Sequence, residues 1–235
     1  MKKYIVFPIL FFLTSMVMAQ NHKADSITKN IIQGSKYLNI SFSLDQRKAE
    51  NENQLLRDVV NQDKLNYDVT LSSGYAIKEN FTLGLGLSYG RQREDIVFLN
   101  EENQEITNKS LGQDFSIIPN MRKYIPLGNG TFQIFVQTDL RFTYGESLQR
   151  NFLVNEVEKI ETDFFELRFG VQPGAIIFFD KNFAFETSVG LVGLSSKWSS
   201  KTVNGDVDNQ TKITENNINL DLNLLSLQLG VAYYF

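Results

Sequence analysis

Cysteine is absent from the 235 residues, and histidine and tryptophan occur once each. Without cysteine there is no disulfide framework, no thiolate metal site and no thiol nucleophile. The lone imidazole, His22, precedes the first strand-like segment, which leaves little for Ser-His-acid hydrolysis. Net charge is only −4, and no block of like charge is long enough to form a tail, so nothing points to nucleic acid. Beyond the N-terminus no apolar run reaches the roughly 18 residues that a spanning helix needs.

The N-terminus predicts export. Lys2 and Lys3 precede an apolar stretch over 4–18, and Val17-Met18-Ala19 supplies acceptable residues around a cleavage site. Residues 1–19 are therefore expected to be a signal peptide, with the mature chain starting near Gln20. The alternative, a buried helix, fits poorly with the polar run over 20–30. No cysteine stands at the cut, which excludes a lipid anchor there. Residues 20–34 are expected to be a short polar segment and 35–235 a single domain.

What the chain has in quantity is aromatic: 19 Phe and 9 Tyr, a strand-favouring composition. The mean hydropathy of −0.21 is unlike a helical membrane protein and compatible with strands that are polar on one face. The stretch 225–235 is the clearest example. Leu225, Leu227, Leu229, Val231, Tyr233 and Phe235 share one face, and Ser226, Gln228, Gly230, Ala232 and Tyr234 share the other. Its length is about that of a tilted strand crossing a bilayer, roughly 9–11 residues. Seven further segments alternate in the same way: 35–44, 65–77, 81–90, 111–125, 131–145, 162–179 and 183–194. The apolar phase slips at Leu224-Leu225, which predicts a bulge there or an end to lipid contact.

Three short turns, 78–80, 126–130 and 180–182, alternate with four long polar connections, 45–64, 91–110, 146–161 and 195–218. A soluble sandwich has little reason to collect its long loops at one end. The expectation is all-β: an eight-stranded antiparallel up-and-down transmembrane β-barrel with short periplasmic turns and long extracellular loops. Its last strand should close against 35–44. Aromatics then form two girdles: Tyr75, Phe81, Tyr124, Phe132, Phe179, Phe183, Tyr233 and Phe235 at the short-turn end, and Tyr67, Tyr89, Phe142, Tyr144 and Phe165 at the other.

The polar face separates this reading from a lipocalin-like barrel, whose interior is apolar. It is rich in glycine, with Gly74, Gly84, Gly86, Gly90, Gly170, Gly174 and Gly190, which suits a crowded lumen. It also carries Asp114, Arg122, Asp139, Arg141, Glu166, Arg168 and Glu186. If facing positions of the fifth and sixth segments sum to 307, Arg141 meets Glu166 and Asp139 meets Arg168. If those of the fourth and fifth sum to 255, Asp114 meets Arg141. The prediction is a lumen charge network of Asp114, Asp139, Arg141, Glu166 and Arg168, since buried charges need partners. A solvated strand surface with fortuitous complementarity is the alternative.

The signal segment, the eight alternating strands, the loop rhythm and the ending Tyr233-Tyr234-Phe235 together resemble the small outer-membrane β-barrel proteins of Gram-negative bacteria. That is the class of the outer membrane protein A barrel and outer membrane protein X, and of "porin family" proteins named by fold alone. The resemblance implies a bacterial outer-membrane location, lipid as the surrounding partner and no cofactor. It also implies an assembly signal at Tyr233 and Phe235 read by the barrel-assembly machinery. Some such barrels act on lipopolysaccharide acyl chains, but with His22 outside the strands this chain is not expected to be an enzyme. Asp206, Asp208 and Asn209 offer oxygens to a hard cation without the spacing of a calcium loop. Two functions stay open: a monomeric surface barrel presenting four loops to an extracellular partner, for adhesion, interaction or envelope integrity, and a narrow porin-like channel. A periplasmic ligand-binding barrel is a third.

Overall fold

The computed structural model describes residues 30–54, 57–99, 104–153, 156–219 and 227–235. The expected signal segment, His22 and the bulge at Leu224-Leu225 lie outside these. The strands are β1 (Lys36–Gln54), β2 (Arg57–Lys78), β3 (Phe81–Leu99), β4 (Glu105–Leu127), β5 (Phe132–Phe152), β6 (Val157–Phe178), β7 (Phe183–Ser188), β8 (Val192–Val203), β9 (Thr211–Asn219) and β10 (Gln228–Tyr234).

All pairings are antiparallel. β1 to β6 follow in order, β6 pairs with β7, β7 with β10, and β10 returns to β1, a closed ring of eight. At the seam Tyr37 to Phe42 run against Leu229 to Tyr234, and Lys36 and Phe235 exchange backbone hydrogen bonds of 2.7 and 2.9 Å. Farther up, β8 replaces β7 beside β6, and β9 pairs with β8. Between β7 and β8 the sum of facing positions on β6 changes from 362 to 363, so residues 189–191 form a bulge.

Alternation sorts the side chains as expected. Leu83, Leu85 and Leu87 on β3, Ile134, Val136 and Leu140 on β5, and Leu229 and Val231 on β10 all point outward and are exposed. On β3 the apolar run over 81–89 covers about 27 Å of strand, or roughly 21 Å of height at the tilt usual for such barrels. A belt of that height around a closed ring has the dimensions of the hydrocarbon-facing surface of a membrane-spanning β-barrel.

Rings border the belt at both ends. Phe179, Phe183, Phe185, Tyr233 and Phe235 form a chain of contacts with centroids 4.6 to 6.1 Å apart at the short-turn end. Tyr144, Phe165 and Trp198 mark the other end, where Phe165 stacks on Trp198 at 5.8 Å. Tyr124 does not belong to a girdle as expected. It shares the parity of Arg122 and is buried in the lumen.

The long connections are not loops. Pairing of β1 with β2 continues from Lys36–Tyr75 to Gln54–Arg57, and β3 with β4 runs up to Leu99–Glu105. Neighbouring hairpins also stay paired with each other, β2 with β3 as far as Val59–Phe98 and β4 with β5 as far as Thr107–Phe152. Above the belt these strands carry polar and charged residues on both faces, as in Arg91-Gln92-Arg93-Glu94-Asp95, so the period-two signal disappears while the backbone ladder persists. Charge pairs such as Lys64–Asp45 at 3.3 Å and Arg93–Asp95 at 2.6 Å replace apolar contacts. The barrel wall continues outward as a collar, its strands running as far as Gln54, Leu99, Phe152 and Val203.

Placing a charge in the belt tests the orientation of the wall. Leu85→Arg is expected to lower unfolding free energy by about 2–4 kcal/mol, measured by urea titration of the protein refolded in lipid vesicles. Leu85→Ala should cost much less.

Candidate functional site

The ring is so narrow that its inward side chains decide what it can do. At the short-turn end they are apolar and largely aromatic. Tyr37, Tyr124, Phe135, Ile176, Phe178 and Tyr234 are each at most 4 % exposed, and Ile31, from the segment before β1, packs beneath them. Tyr234 is the hub, with centroids 5.2 Å from Phe178, 5.7 Å from Tyr37 and 6.5 Å from Tyr124. These rings fit because small residues stand beside them. A Cβ on Gly74 would run into the Tyr37 ring, and one on Gly174 into the ring of Phe135. Ile31 is held by Asn80 in the β2–β3 turn, whose side-chain oxygen accepts from the Ile31 N–H at 3.3 Å.

Above this floor lies a buried ion pair, the only one so enclosed among the described residues. Arg122 on β4 donates from Nη1 to Glu186 Oε2 at 2.8 Å and from Nε to Gln137 Oε1 at 2.6 Å. Its guanidinium sits between the rings of Tyr37 and Phe135, at 4.9 and 4.8 Å. Glu186 also accepts from Tyr234 Oη at 2.6 Å and from Asn39 Nδ2 at 3.0 Å, and Gln137 passes the chain on to Asp139 at 3.0 Å. Five strands thus meet at one carboxylate and one guanidinium, with hydrogen bonds that make so dry a charge pair tolerable.

Toward the collar the lumen opens into a vestibule of about 340 Å³. Asp68, Asp114, Glu166, Arg141, Arg168 and Lys197 line it. Asp68 is fixed by hydroxyls, accepting from Ser88 at 2.7 Å and Thr70 at 2.9 Å, and it faces Arg141 at 3.8 Å. Lys197 lies 4.1 Å over the Phe164 ring.

Of the five residues assigned to the lumen network, Asp114, Arg141, Glu166 and Arg168 reach this vestibule, and Asp139 lies lower, beside a small void shared with Arg141. Among the described residues no ion pair joins any two of the five. The assumed registers are incorrect: β5 and β6 pair at a sum of 309 rather than 307, and β4 and β5 at 259 rather than 255. Arg141 therefore faces Arg168, Asp139 faces Gly170 and Asp114 faces Gly145. Slips of two or four leave every side chain on its own face, so alternation cannot detect them. The β4–β5 register follows from the turn at 128–131, which leaves Pro126 and Leu127 in the strand. Alternation places Arg122 and Glu186 on the inner face but does not join them. Tyr37, Tyr124 and Tyr234 are floor residues that residue type conceals, although their parity with inward neighbours marks them.

The remaining candidates resolve simply. Tyr233 and Phe235 point outward at the lower girdle. Asp206 turns its carboxylate onto its own loop, accepting from Asn209 Nδ2 at 2.9 Å and from the backbone N–H groups of Asp208 and Asn209. Among the described residues there is no cluster of metal-ligating side chains.

No family model and no curated protein matches the chain. The chain is similar to several solved outer-membrane proteins. The outer membrane protein OprG from Pseudomonas aeruginosa is 13 % identical over 87 % of this chain and 97 % of its own, with a TM-score of 0.43. Ail, the attachment invasion locus protein of Yersinia pestis, is 14 % identical over 87 % and 100 %, at 0.39. A major outer membrane protein from Thermus thermophilus is 11 % identical over 86 % and 100 %, at 0.46.

Two measurements check this site. Glu186→Leu or Arg122→Met alone should destabilise the barrel by about 3–5 kcal/mol, while the double variant should recover most of the loss in the same urea titration. The Asn209 hydrogen bond holds the Asp206 carboxyl below the usual carboxylate range. A pKa depressed on folding stabilises the loop at pH above the unfolded value and loses that contribution as pH falls through the depressed one. Carbon-13 NMR titration should show Asn209→Ala bringing Asp206 back up.

Proposed function

We propose that this protein is a non-enzymatic, monomeric outer-membrane barrel, exported by the signal at 1–19, that presents its collar to an extracellular partner. The role is adhesion, interaction or envelope integrity. The observation that carries this reading is a lumen filled from Ile31 up through the Arg122–Glu186 pair, beneath an outward wall far taller than the membrane requires. An eight-stranded ring leaves an interior just wide enough for side chains, and here large ones occupy it. The inward charges of Asp114, Asp139, Arg141, Glu166 and Arg168 belong, on this reading, to the closure of the lumen rather than to catalysis. Tyr233 and Phe235 on the lipid face of β10 are the residues offered to the barrel-assembly machinery.

A narrow channel is the second reading, favoured by the polar vestibule above the floor. Planar-bilayer recording separates the two. The purified barrel is expected to give no steady conductance; steady currents that persist when collar charges are neutralised would establish the pore instead. Shortening the four hairpins one at a time, scored by binding of displaying cells to host surfaces, is expected to abolish binding for at least one hairpin without loss of surface level.

A further inference from the structure

We propose that the vestibule is a binding site for a small zwitterion whose ammonium and carboxylate stand at opposite ends. The inference concerns the lumen and is independent of what the collar recognises.

Its basis is a set of charges of both signs without matching contacts. Asp68, Asp114 and Glu166 face Arg141, Arg168 and Lys197 in one cavity of about 340 Å³. The other nearby carboxylates are engaged elsewhere: Asp45 with Lys64 at 3.3 Å, Asp139 with Gln137, and Glu146 with Gln113 at 2.6 Å. Among the described residues, Asp114, Glu166 and Arg168 form no ion pair and no side-chain hydrogen bond. The one ion pair in the set, Arg141 with Asp68, is long at 3.8 Å.

Register sharpens the cation side. Arg141 and Arg168 are direct cross-strand partners, an arrangement that like charges disfavour. Asp68 draws Arg141 one way. Arg168 lies the other way against the bulge, with Nε 3.1 Å and Nη2 3.3 Å from where a Gly193 Cβ would stand, and Nη2 3.6 Å from that of Gly190. A carboxylate between the two guanidiniums would relieve their repulsion and accept hydrogen bonds from both. On the other side Asp114 leans over Gly90, where a Cβ would lie 2.7 Å from its carboxylate. Asp68 is the position directly across Gly90 from it, so two carboxylates stand together at one side of the cavity, where an ammonium group would offset both.

An anion alone would satisfy the arginines and crowd the acids, and a cation alone would do the reverse. A molecule carrying both leaves the balance of the cavity unchanged. Asp114 stands on β4 and Arg168 on β6, and the register that sets Asp114 level with Phe164 leaves Arg168 four positions farther along β6, so the two charges of the ligand are separated along its length.

The test is isothermal titration of the full chain in detergent micelles with 4-aminobutyrate, butyrate and butylammonium chloride. 4-Aminobutyrate is expected to bind at least about tenfold more tightly than either singly charged probe. Asp114→Asn and Arg168→Gln should each weaken it by about tenfold or more, with heat-modifiable gel mobility unchanged to show an intact barrel. Asp180→Asn, in the short turn between β6 and β7 and away from the cavity, should leave affinity as it is. No saturable heat with 4-aminobutyrate, butyrate binding as tightly as 4-aminobutyrate, or indifference to Asp114→Asn would each overturn the proposal.

Discussion

Space inside the ring is the constraint on which the rest of this structure depends. An eight-stranded barrel has room for about one layer of side chains from opposing walls, so every large inward residue needs a small one next to it. Gly74 beside Tyr37, Gly174 beside Phe135 and Gly90 beside Asp114 are the visible consequence. Each glycine forfeits some strand stability and returns it as contact between the neighbour's side chain and the wall. The lipid face carries no such restriction, which is why it repeats Leu, Ile, Val and Phe with little regard to partner.

That economy sets where charge can be tolerated. Arg122 and Glu186 are buried at the level where aromatic rings, an amide and a tyrosine hydroxyl can surround them. Higher up, where the vestibule admits water, charges stand farther apart and share partners loosely. The lumen is thus graded from apolar to tightly paired to open, along a single direction.

Much of this could be read from residue order alone. Parity along each strand assigned Leu85, Val136 and Val231 to one face and Asp114, Arg141 and Glu166 to the other, because side-chain direction alternates whatever the partner strand does. The short turns followed from their own chemistry. Register did not follow, since a slip of two residues is silent in parity, and the proposed partners of Arg141 and Asp139 were lost with it. The collar was also invisible, because strands with polar residues on both faces have no apolar period to betray them. Tyr124 shows a further limit. Residue type suggested a membrane boundary, while position in the alternation required the lumen.

The seam between Lys36 and Phe235 has a kinetic side. It joins residues separated by almost the whole described chain, so the loop-closure entropy of the entire barrel falls on that one pairing. Until it forms, β1 and β10 are both open edges with unsatisfied amides facing hydrocarbon. Closure of the ring therefore rests on a seam of six paired positions, far shorter than the ladders joining β1 to β2 or β3 to β4.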